Sequence, residues 1–312
     1  MDPTAWLLSS DPAIGWQAMR DLTAASPSAV AAQRARIPRE GLGGAILAHQ
    51  ASDGSWRRND APVWLPTLFT FLLLRSTGID PADPAVESAI ARLETGLRWS
   101  NHGCWELRPN PGNSFFLGEV EPCINGGVLA LGAYFGRPNE TLARRLLSEQ
   151  LQDGGWNCEA PKSTRSSFHT TICVLEGLLE YELAVGTAPE IAAARHRAEE
   201  YLLQRHLFRR RSTGEAASSA FLELAFPPRY HYDILRALDY FRAAGARPDP
   251  RMSEAIDVLI SRQVDGTWLL DRAYDEALSL PLTEAPGTPS RWNTLRALRV
   301  LRWYENHSPA PA

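Results

Sequence analysis

Lysine is nearly absent from this chain of 312 residues: Lys162 is the only one, and arginine carries almost all of the positive charge. A Schiff-base mechanism therefore has a single candidate residue, which lies in a polar segment. Cysteine is also scarce, with four residues and no CxxC spacing, so we expect no disulfide framework. The formal net charge of -4 provides no basic surface for nucleic acid or for an anionic membrane.

Long apolar runs are missing as well. The longest candidate, VWLPTLFTFLLLR, contains a proline and is shorter than the ~20 residues that cross a bilayer. The N-terminal residues do not combine a basic segment with an apolar one, so we expect no secretory signal, and a cytoplasmic location with reduced thiols. Phosphate loops, dinucleotide fingerprints, HExxH and GxSxG are absent too, which argues against several common enzyme classes. Nothing in the sequence indicates an oligomeric state.

A repeated phrase organises the chain. QASDGSW (50–56), QLQDGGW (150–156) and RQVDGTW (262–268) each combine a glutamine, an Asp-Gly or Asp-Gly-Gly turn and a tryptophan. We call these segments the Gly-x-Trp turns. Two weaker versions, NHGCW at 101–105 and RRSTGEA at 210–216, fill the gaps, so the turns recur about every fifty residues. Such a period is typical of a repeat architecture.

The segments between the turns have helical patterns of two alternating kinds. Amphipathic segments precede the turns and more apolar segments follow them, and no strand is expected anywhere. The apolar, inner segments are VWLPTLFTFLLLR, PCINGGVLALGAYF, FHTTICVLEGLLEY, YHYDILRALDYF and RWNTLRALRVLRWY. The last of them is no more polar than the others, whereas an open solenoid needs polar ends. The pattern predicts one all-α domain over residues 1–312, a toroid of five outer–inner helix pairs plus an N-terminal helix.

The Gln-x-x-x-Gly-x-Trp phrases resemble the QW repeats of squalene–hopene cyclases. The same α/α toroid is built by the β subunits of protein prenyltransferases, and the chain is also similar to small bacterial proteins labelled squalene cyclase-like. The resemblance covers nearly the whole chain. However, no Asp-Asp pair occurs, so both the Asp-x-Asp-Asp acid of class II cyclases and the Asp-Asp-x-x-Asp magnesium motif are missing. An ordinary terpenoid cyclase is therefore not expected.

The prenyltransferase branch holds Zn²⁺ with an Asp-x-Cys at the start of one inner helix and a histidine at the start of the next. Here Glu121-Pro122-Cys123 matches the first motif with glutamate for aspartate, and His169 in GGWNCEAPKSTRSSFHTTICVLEGL matches the second. The resemblance thus implies that Glu121, Cys123 and His169 are zinc ligands. Thiolate, imidazole and carboxylate suit Zn²⁺, and a helix N-terminus favours the thiolate.

Further candidates begin the inner helices. Alignment of the apolar patterns puts Cys123, His169 and His231 at equivalent positions, together with Leu65 and Trp292. His231 or Asp233 would complete the metal site or act as the acid–base catalyst, although Asp233 is equally well explained as a helix cap. Cys158 follows the second Gly-x-Trp turn, and we interpret it as an ordinary loop residue. The candidate substrate-binding residues, whose aromatic members are either core or a cavity wall, are Trp64, Phe168, Tyr230, Tyr232, Trp292, Arg229 and Arg291.

Three functions fit these patterns. The first is a prenyltransferase-like or terpenoid-cyclase-like enzyme whose zinc ion activates a thiol or water beside a hydrophobic, isoprenoid-like substrate. The second is a noncanonical terpenoid cyclase with another acid, such as Glu121 or Asp233. The third is a non-catalytic module that binds a hydrophobic small molecule. The apolar inner helices are the basis for expecting a hydrophobic partner.

Overall fold

A computed structural model describes residues 2–99 and 112–307. Helices account for 54% of it and strands for 4%, which confirms the all-α class. The weak repeat at 101–105 and Cys104 lie outside the described residues. None of the helices in the two described ranges combines the length and the apolar character that crossing a membrane requires.

The elements follow the predicted alternation along the chain. In order they are α1 (Pro3–Leu8), α2 (Pro12–Leu22), α3 (Pro27–Arg34), α4 (Gly41–Ala48), α5 (Trp64–Ser76), α6 (Pro84–Gly96), α7 (Pro122–Tyr134), α8 (Glu140–Ser148), α9 (Phe168–Val185), α10 (Pro189–Leu203), α11 (Ile234–Ala243), α12 (Ser253–Ser261), β1 (Gln263–Val264), β2 (Thr267–Leu269), β3 (Pro289–Ser290) and α13 (Arg291–His307). Single 3₁₀ turns lie at Phe115–Leu117, Ser219–Leu222 and Pro250–Met252.

Two expectations about these elements are wrong. The first outer segment is divided into α3 and α4, because Pro38 has no N–H to donate and disfavours helix at the residue before it. A small antiparallel sheet, in the order β1-β2-β3, forms at the third Gly-x-Trp turn. Asp265 and Gly266 both have positive φ, as a two-residue type I′ hairpin requires, so the Asp-Gly turn becomes a β-hairpin here.

The chain divides into two compact units. The first comprises Met1–Gly41, Leu202–Asp275 and Leu282–Ala312, and the second comprises Leu42–Tyr201 and Glu276–Pro281. The first unit therefore contains α1–α3, α11–α13 and the sheet, whereas the second contains almost all of α4–α10. The single domain and the toroid stay predictions.

The Gly-x-Trp turns of the second unit share one arrangement. The buried indole of Trp56 donates its Nε1–H to the carbonyl oxygen of Ile46 at 2.8 Å, and Trp156 donates to Leu146 at 2.7 Å. Each tryptophan thus ties its turn to the outer helix that precedes it. The backbone N–H groups of these tryptophans donate to threonine hydroxyls in the next inner helices, at 3.1 Å in both cases.

The glutamine of each of these two turns bonds to the outer helix that follows the turn. The side-chain amide of Gln150 donates to the carbonyl oxygen of Gly154 at 2.7 Å and to that of Ala194, in α10, at 2.8 Å. Gln50 makes the equivalent two bonds one repeat earlier, both at 2.9 Å, and the second partner is in α6. The glutamine therefore joins its own turn to the next outer helix, which explains its recurrence with the tryptophan.

The first unit is held together by buried charges as well as apolar side chains. Arg299 of α13 donates to the Asp239 carboxylate of α11 at 2.8 Å and to the side-chain oxygen of Gln17, in α2, at 3.1 Å. Arg242 donates to the same carboxylate at 2.8 Å. Burial alone would raise the pKa of Asp239, but the neighbouring guanidinium groups, that of Arg299 first, lower it well below its usual range. The carboxylate is thus charged and links α11 to α13, while Arg299 extends the network to α2.

Candidate metal centre

The close crossing of α7 and α9 positions the candidate site. A Cβ atom added to Gly126 would lie 2.3 Å from the backbone oxygen of Cys173, and one added to Gly177 would lie 2.4 Å from the backbone oxygen of Gly126. The two backbones are therefore in direct contact, which only glycine permits at these positions. The contact brings the first turns of both helices to one place in the second unit.

Side-chain bonds fix the loop that leads into α7. The backbone N–H of Glu119 donates to the side-chain oxygen of Asn125 at 2.7 Å, and the Asn125 amide donates back to the Glu119 carbonyl at 2.9 Å. The guanidinium of Arg145 donates to the carbonyl oxygens of Glu119 and Val120, at 2.5 and 3.0 Å. Glu121 is then the N-cap residue of α7 and Pro122 its first residue, where proline has no N–H to leave unpaired.

Three side chains at this helix start form a candidate ligand set. One ligand atom from each of Glu121, Cys123 and Cys158 lies within 4.8 Å of the others. The Cys123 thiol donates to Glu121 Oε2 at 3.7 Å, and the Cys158 sulfur lies 3.4 Å from the Thr170 hydroxyl of α9. Glu121 is buried, and both thiols are half-buried. Carboxylate and thiolate groups at such separations are able to converge on one cation.

The two thiols have opposite pKa shifts. The hydrogen bond with Cys158 and burial raise the pKa of the Cys123 thiol well above its usual value. The hydrogen bond from Cys123 lowers the pKa of the Cys158 thiol, and the Thr170 hydroxyl contributes in the same direction. Of the two thiols, Cys158 therefore ionises more readily than Cys123.

A second carboxylate is buried beside the set. Glu119 is 3% exposed, and one of its oxygens, Oε2, accepts the backbone N–H of Glu121 at 2.7 Å. Its other oxygen is buried and accepts no hydrogen bond from the described part of the chain. The nearby guanidinium of Arg145 is directed at backbone carbonyls and at Glu149. The Glu119 carboxylate is therefore buried directly next to the candidate ligand set.

The structure brings together part of the predicted ligand set. Glu121 and Cys123 are adjacent as expected. Cys158, interpreted from the sequence as an ordinary loop residue, lies beside them. His169 is not a member of this group of three. It is the second residue of α9, as Cys123 is the second residue of α7, so the predicted equivalence of the two positions is confirmed. The assignment of His169 as a ligand stays a prediction.

His231 and Asp233 belong to the first unit. Asp233 is the N-cap residue of α11 and accepts the backbone N–H groups of Arg236 at 2.7 Å and Ala225 at 3.4 Å. Burial raises the pKa of Asp233, while Arg296 acts in the opposite direction. His231 precedes α11 instead of lying within its first turn, and its ring stacks on Tyr274 at 3.6 Å. Asp233 thus has the contacts of a helix cap, and His231 those of a stacked ring. The catalytic roles proposed for both residues stay predictions.

The predicted aromatic wall of the second unit takes part in ring packing. Trp64 begins α5, and its ring centroid is 5.8 Å from that of Trp99. Phe168 begins α9, is 9% exposed, and meets Tyr201 edge-on at 5.7 Å. Phe168 thus has the contacts of a core side chain beside the candidate metal centre.

The other predicted substrate residues belong to the first unit. Tyr232 and Trp292 are buried, and Trp292 stacks on Phe226 at 4.4 Å. Arg291 lies 4.6 Å over the ring of Trp6. The guanidinium of Arg229 lies 5.4 Å from the ring of Tyr230, which is 38% exposed. The buried pair is typical of core, whereas Tyr230 is accessible.

No protein-family model matches this chain, and the curated proteins include no significant match. The chemistry of the site therefore rests on the geometry of Glu121, Cys123 and Cys158.

Proposed function

We propose that the second unit binds one Zn²⁺ ion through Glu121, Cys123 and Cys158, and that the protein is a zinc-dependent enzyme of the prenyltransferase-like type. The observation that carries the proposal is the convergence of these three ligand atoms within 4.8 Å at the start of α7. The oxygen of Glu119 that accepts no hydrogen bond within the described residues supports it, because an adjacent cation would stabilise that buried carboxylate.

The donor set fits zinc better than other common metals. Two thiolates are soft ligands that favour Zn²⁺, which also accepts a carboxylate, whereas Mg²⁺ and Ca²⁺ prefer oxygen alone. Three protein ligands leave a fourth tetrahedral position, for which His169 or a substrate thiol or water are the candidates. When bound, zinc supplies Lewis-acid activation of a thiol or water in that position.

The residues of the chain provide the surroundings of this chemistry. Pro122 and the bonds of Asn125 and Arg145 hold the loop of Glu121 in place, so the carboxylate has few alternative positions. Thr170 orients the Cys158 sulfur. Phe168 and the apolar residues of α7 and α9 exclude water on the helix side of the site. An isoprenoid-like group is the proposed substrate because these helices are apolar, and the proposed α/α toroid would place such a surface inside a ring.

Metal analysis of protein purified without added metal tests the proposal. We expect about one zinc ion per chain, lost in a Cys123→Ser/Cys158→Ser double variant. Cys173→Ala is the matched control, because it removes a buried thiol of the same helix pair that is outside the ligand set. A zinc content near zero that dialysis against zinc does not restore would contradict the metal site.

The competing functions have separate outcomes. A noncanonical cyclase would convert a linear polyprene without metal, and Asp233, with its raised pKa, is its best acid candidate. A binding module would retain a hydrophobic ligand tightly without turnover. A zinc enzyme would transfer or hydrolyse the isoprenoid-like group only in the loaded protein, and His169→Ala would show whether His169 belongs to the metal site.

A further inference from the structure

The two thiols of the candidate metal centre are also neighbours of each other. Their sulfur atoms lie within 4.8 Å, although the residues are far apart in the sequence. Cys123 is fixed in the first turn of α7, whereas Cys158 lies in the turn that follows the second Gly-x-Trp segment. Loops adjust more readily than helices, so a small shift of the Cys158 turn would bring the sulfurs to bonding distance.

We infer that Cys123 and Cys158 form a reversible disulfide when the centre holds no metal, so that peroxide and zinc compete for the same two sulfurs. The regulatory meaning of this competition rests on the proposed zinc site, whereas formation of the disulfide does not. Glu121 would be left without its two companion ligands in the oxidised form, and a single carboxylate does not hold zinc.

The chemistry balances with hydrogen peroxide as the oxidant. The Cys158 thiol loses its proton, the thiolate attacks one peroxide oxygen, and the O–O bond breaks to give a sulfenic acid on Cys158. The hydroxide that leaves takes up a proton equivalent to the one that Cys158 released and becomes the first water. The Cys123 sulfur then attacks the Cys158 sulfur, the S–O bond breaks, and water forms with the thiol proton of Cys123. Two thiols and one peroxide give one disulfide and two waters, and the two electrons pass from sulfur to peroxide.

The surroundings of the thiols favour a bridge between Cys123 and Cys158 over one that involves Cys173. Cys173 is buried in α9, where its backbone contacts Gly126, and its sulfur is not part of the group of three. Cys123 and Cys158 are both half-buried, which leaves them accessible to a molecule as small as peroxide. Glu121, beside both sulfurs, accepts a hydrogen bond from the Cys123 thiol and can relay its proton to the departing hydroxide.

The test oxidises chelator-treated full-length protein with one equivalent of hydrogen peroxide, alkylates the remaining thiols after unfolding, and maps the peptides by mass spectrometry. We expect a Cys123–Cys158 cross-link that reducing agent removes, with Cys173 alkylated. Protein loaded with zinc beforehand should keep all four thiols. Cys173→Ala should still form the cross-link, and Cys158→Ser should form none while retaining its helical circular dichroism.

The possible failures are distinguishable. A bridge from Cys123 to Cys173 or Cys104, or the absence of any bridge in folded metal-free protein, would overturn the inference and leave the zinc site intact. A Cys123–Cys158 bridge that zinc does not prevent, in protein that binds no zinc, would remove the proposed metal function and leave the disulfide. If Cys158→Ser unfolds, Cys158→Ala with the same mapping replaces it.

Discussion

Gly126 of α7 and Gly177 of α9 lie backbone to backbone, so that a Cβ on Gly177 would be 2.4 Å from the Gly126 carbonyl oxygen. This contact decides where the candidate ligands are, because it holds the first turns of the two helices side by side. Cys123 lies one helical turn before Gly126, and Thr170, which contacts the Cys158 sulfur, lies in the first turn of α9.

The first prediction concerns this contact. Gly126→Ala should lower the free energy of unfolding by about 1–3 kcal/mol, because its Cβ would meet the backbone oxygen of Cys173 at 2.3 Å and the helices must separate. Gly127→Ala is the matched control, since its Cβ would meet the flexible side chains of Leu72, at 3.3 Å, and Leu68, at 3.9 Å, and no backbone atom among its nearest neighbours. It should be neutral or stabilising by up to about 1 kcal/mol. Urea denaturation measures both, and equal effects would contradict the close crossing.

The second prediction concerns the Gly-x-Trp turns. Thr171→Val should cost about 1–3 kcal/mol, because the buried N–H of Trp156 then loses its acceptor at 3.1 Å. Thr67→Val should cost a similar amount, since Trp56 depends on it in the same way. Thr171→Ser restores the hydroxyl and should recover most of the loss. A serine variant as unstable as the valine variant would show that the methyl group matters instead.

The third prediction concerns the buried carboxylate of the first unit. Asp239→Asn should cost about 3–5 kcal/mol at neutral pH, because the buried guanidinium of Arg299 would lose the nearer of its two acidic partners and keep only Asp21, at 3.7 Å. The folded-state pKa of Asp239 lies below the unfolded value of about 4, so its contribution is complete above pH 4 and is lost as the pH falls further.

Denaturation between neutral and acidic pH checks the sign of this effect. The difference in unfolding free energy between wild type and Asp239→Asn should shrink as the pH falls below about 4. Glu40→Gln, which changes an exposed ion pair, should leave stability at neutral pH unchanged within error. A difference that grows on acidification would show that Asp239 is not a stabilising carboxylate.

The fourth prediction concerns the charge beside the candidate ligands. Glu119→Gln keeps the side-chain shape but removes a buried negative charge, so zinc affinity should fall about 10–100-fold. Competition with a chromophoric chelator measures the affinity. Glu140→Gln, on the exposed face of α8, should leave it unchanged. If both variants bind zinc as the wild type does, Glu119 does not act on the metal.

Much of the fold could be predicted because its signals are local. The inner helices α5, α7, α9 and α13 begin at or within a residue of the predicted starts, since apolar periodicity and the turn glycines mark them. The break at Pro38 and the hairpin at Asp265-Gly266 have local signals as well, but the helical repeat pattern around them conceals these signals. The structure shows that turn chemistry prevails at these two places.

The site was harder to predict because its members meet through tertiary packing. Glu121 and Cys123 are close in the sequence, so a local motif predicts both of them. Cys158 follows Trp156 by two residues, and only the Gly126–Gly177 contact places it beside Cys123. The two glycines indicate close helix packing only when the partner helix is known. The thiol two residues after a Gly-x-Trp turn, just before the next inner helix, was the usable signal.

The glutamines of the two Gly-x-Trp turns in the second unit affect how that unit unfolds. Gln150 is bonded at once to its own turn and to α10, and Gln50 is bonded in the same way to α6, so loosening one turn removes a bond from the helix of the next repeat. Neighbouring repeats are therefore coupled by polar bonds in addition to apolar contact. Amide protons in α6 and α10 should therefore exchange with solvent at rates that follow the opening of the preceding turn. Local unfolding of one repeat is in this way transmitted to the next repeat through the turn.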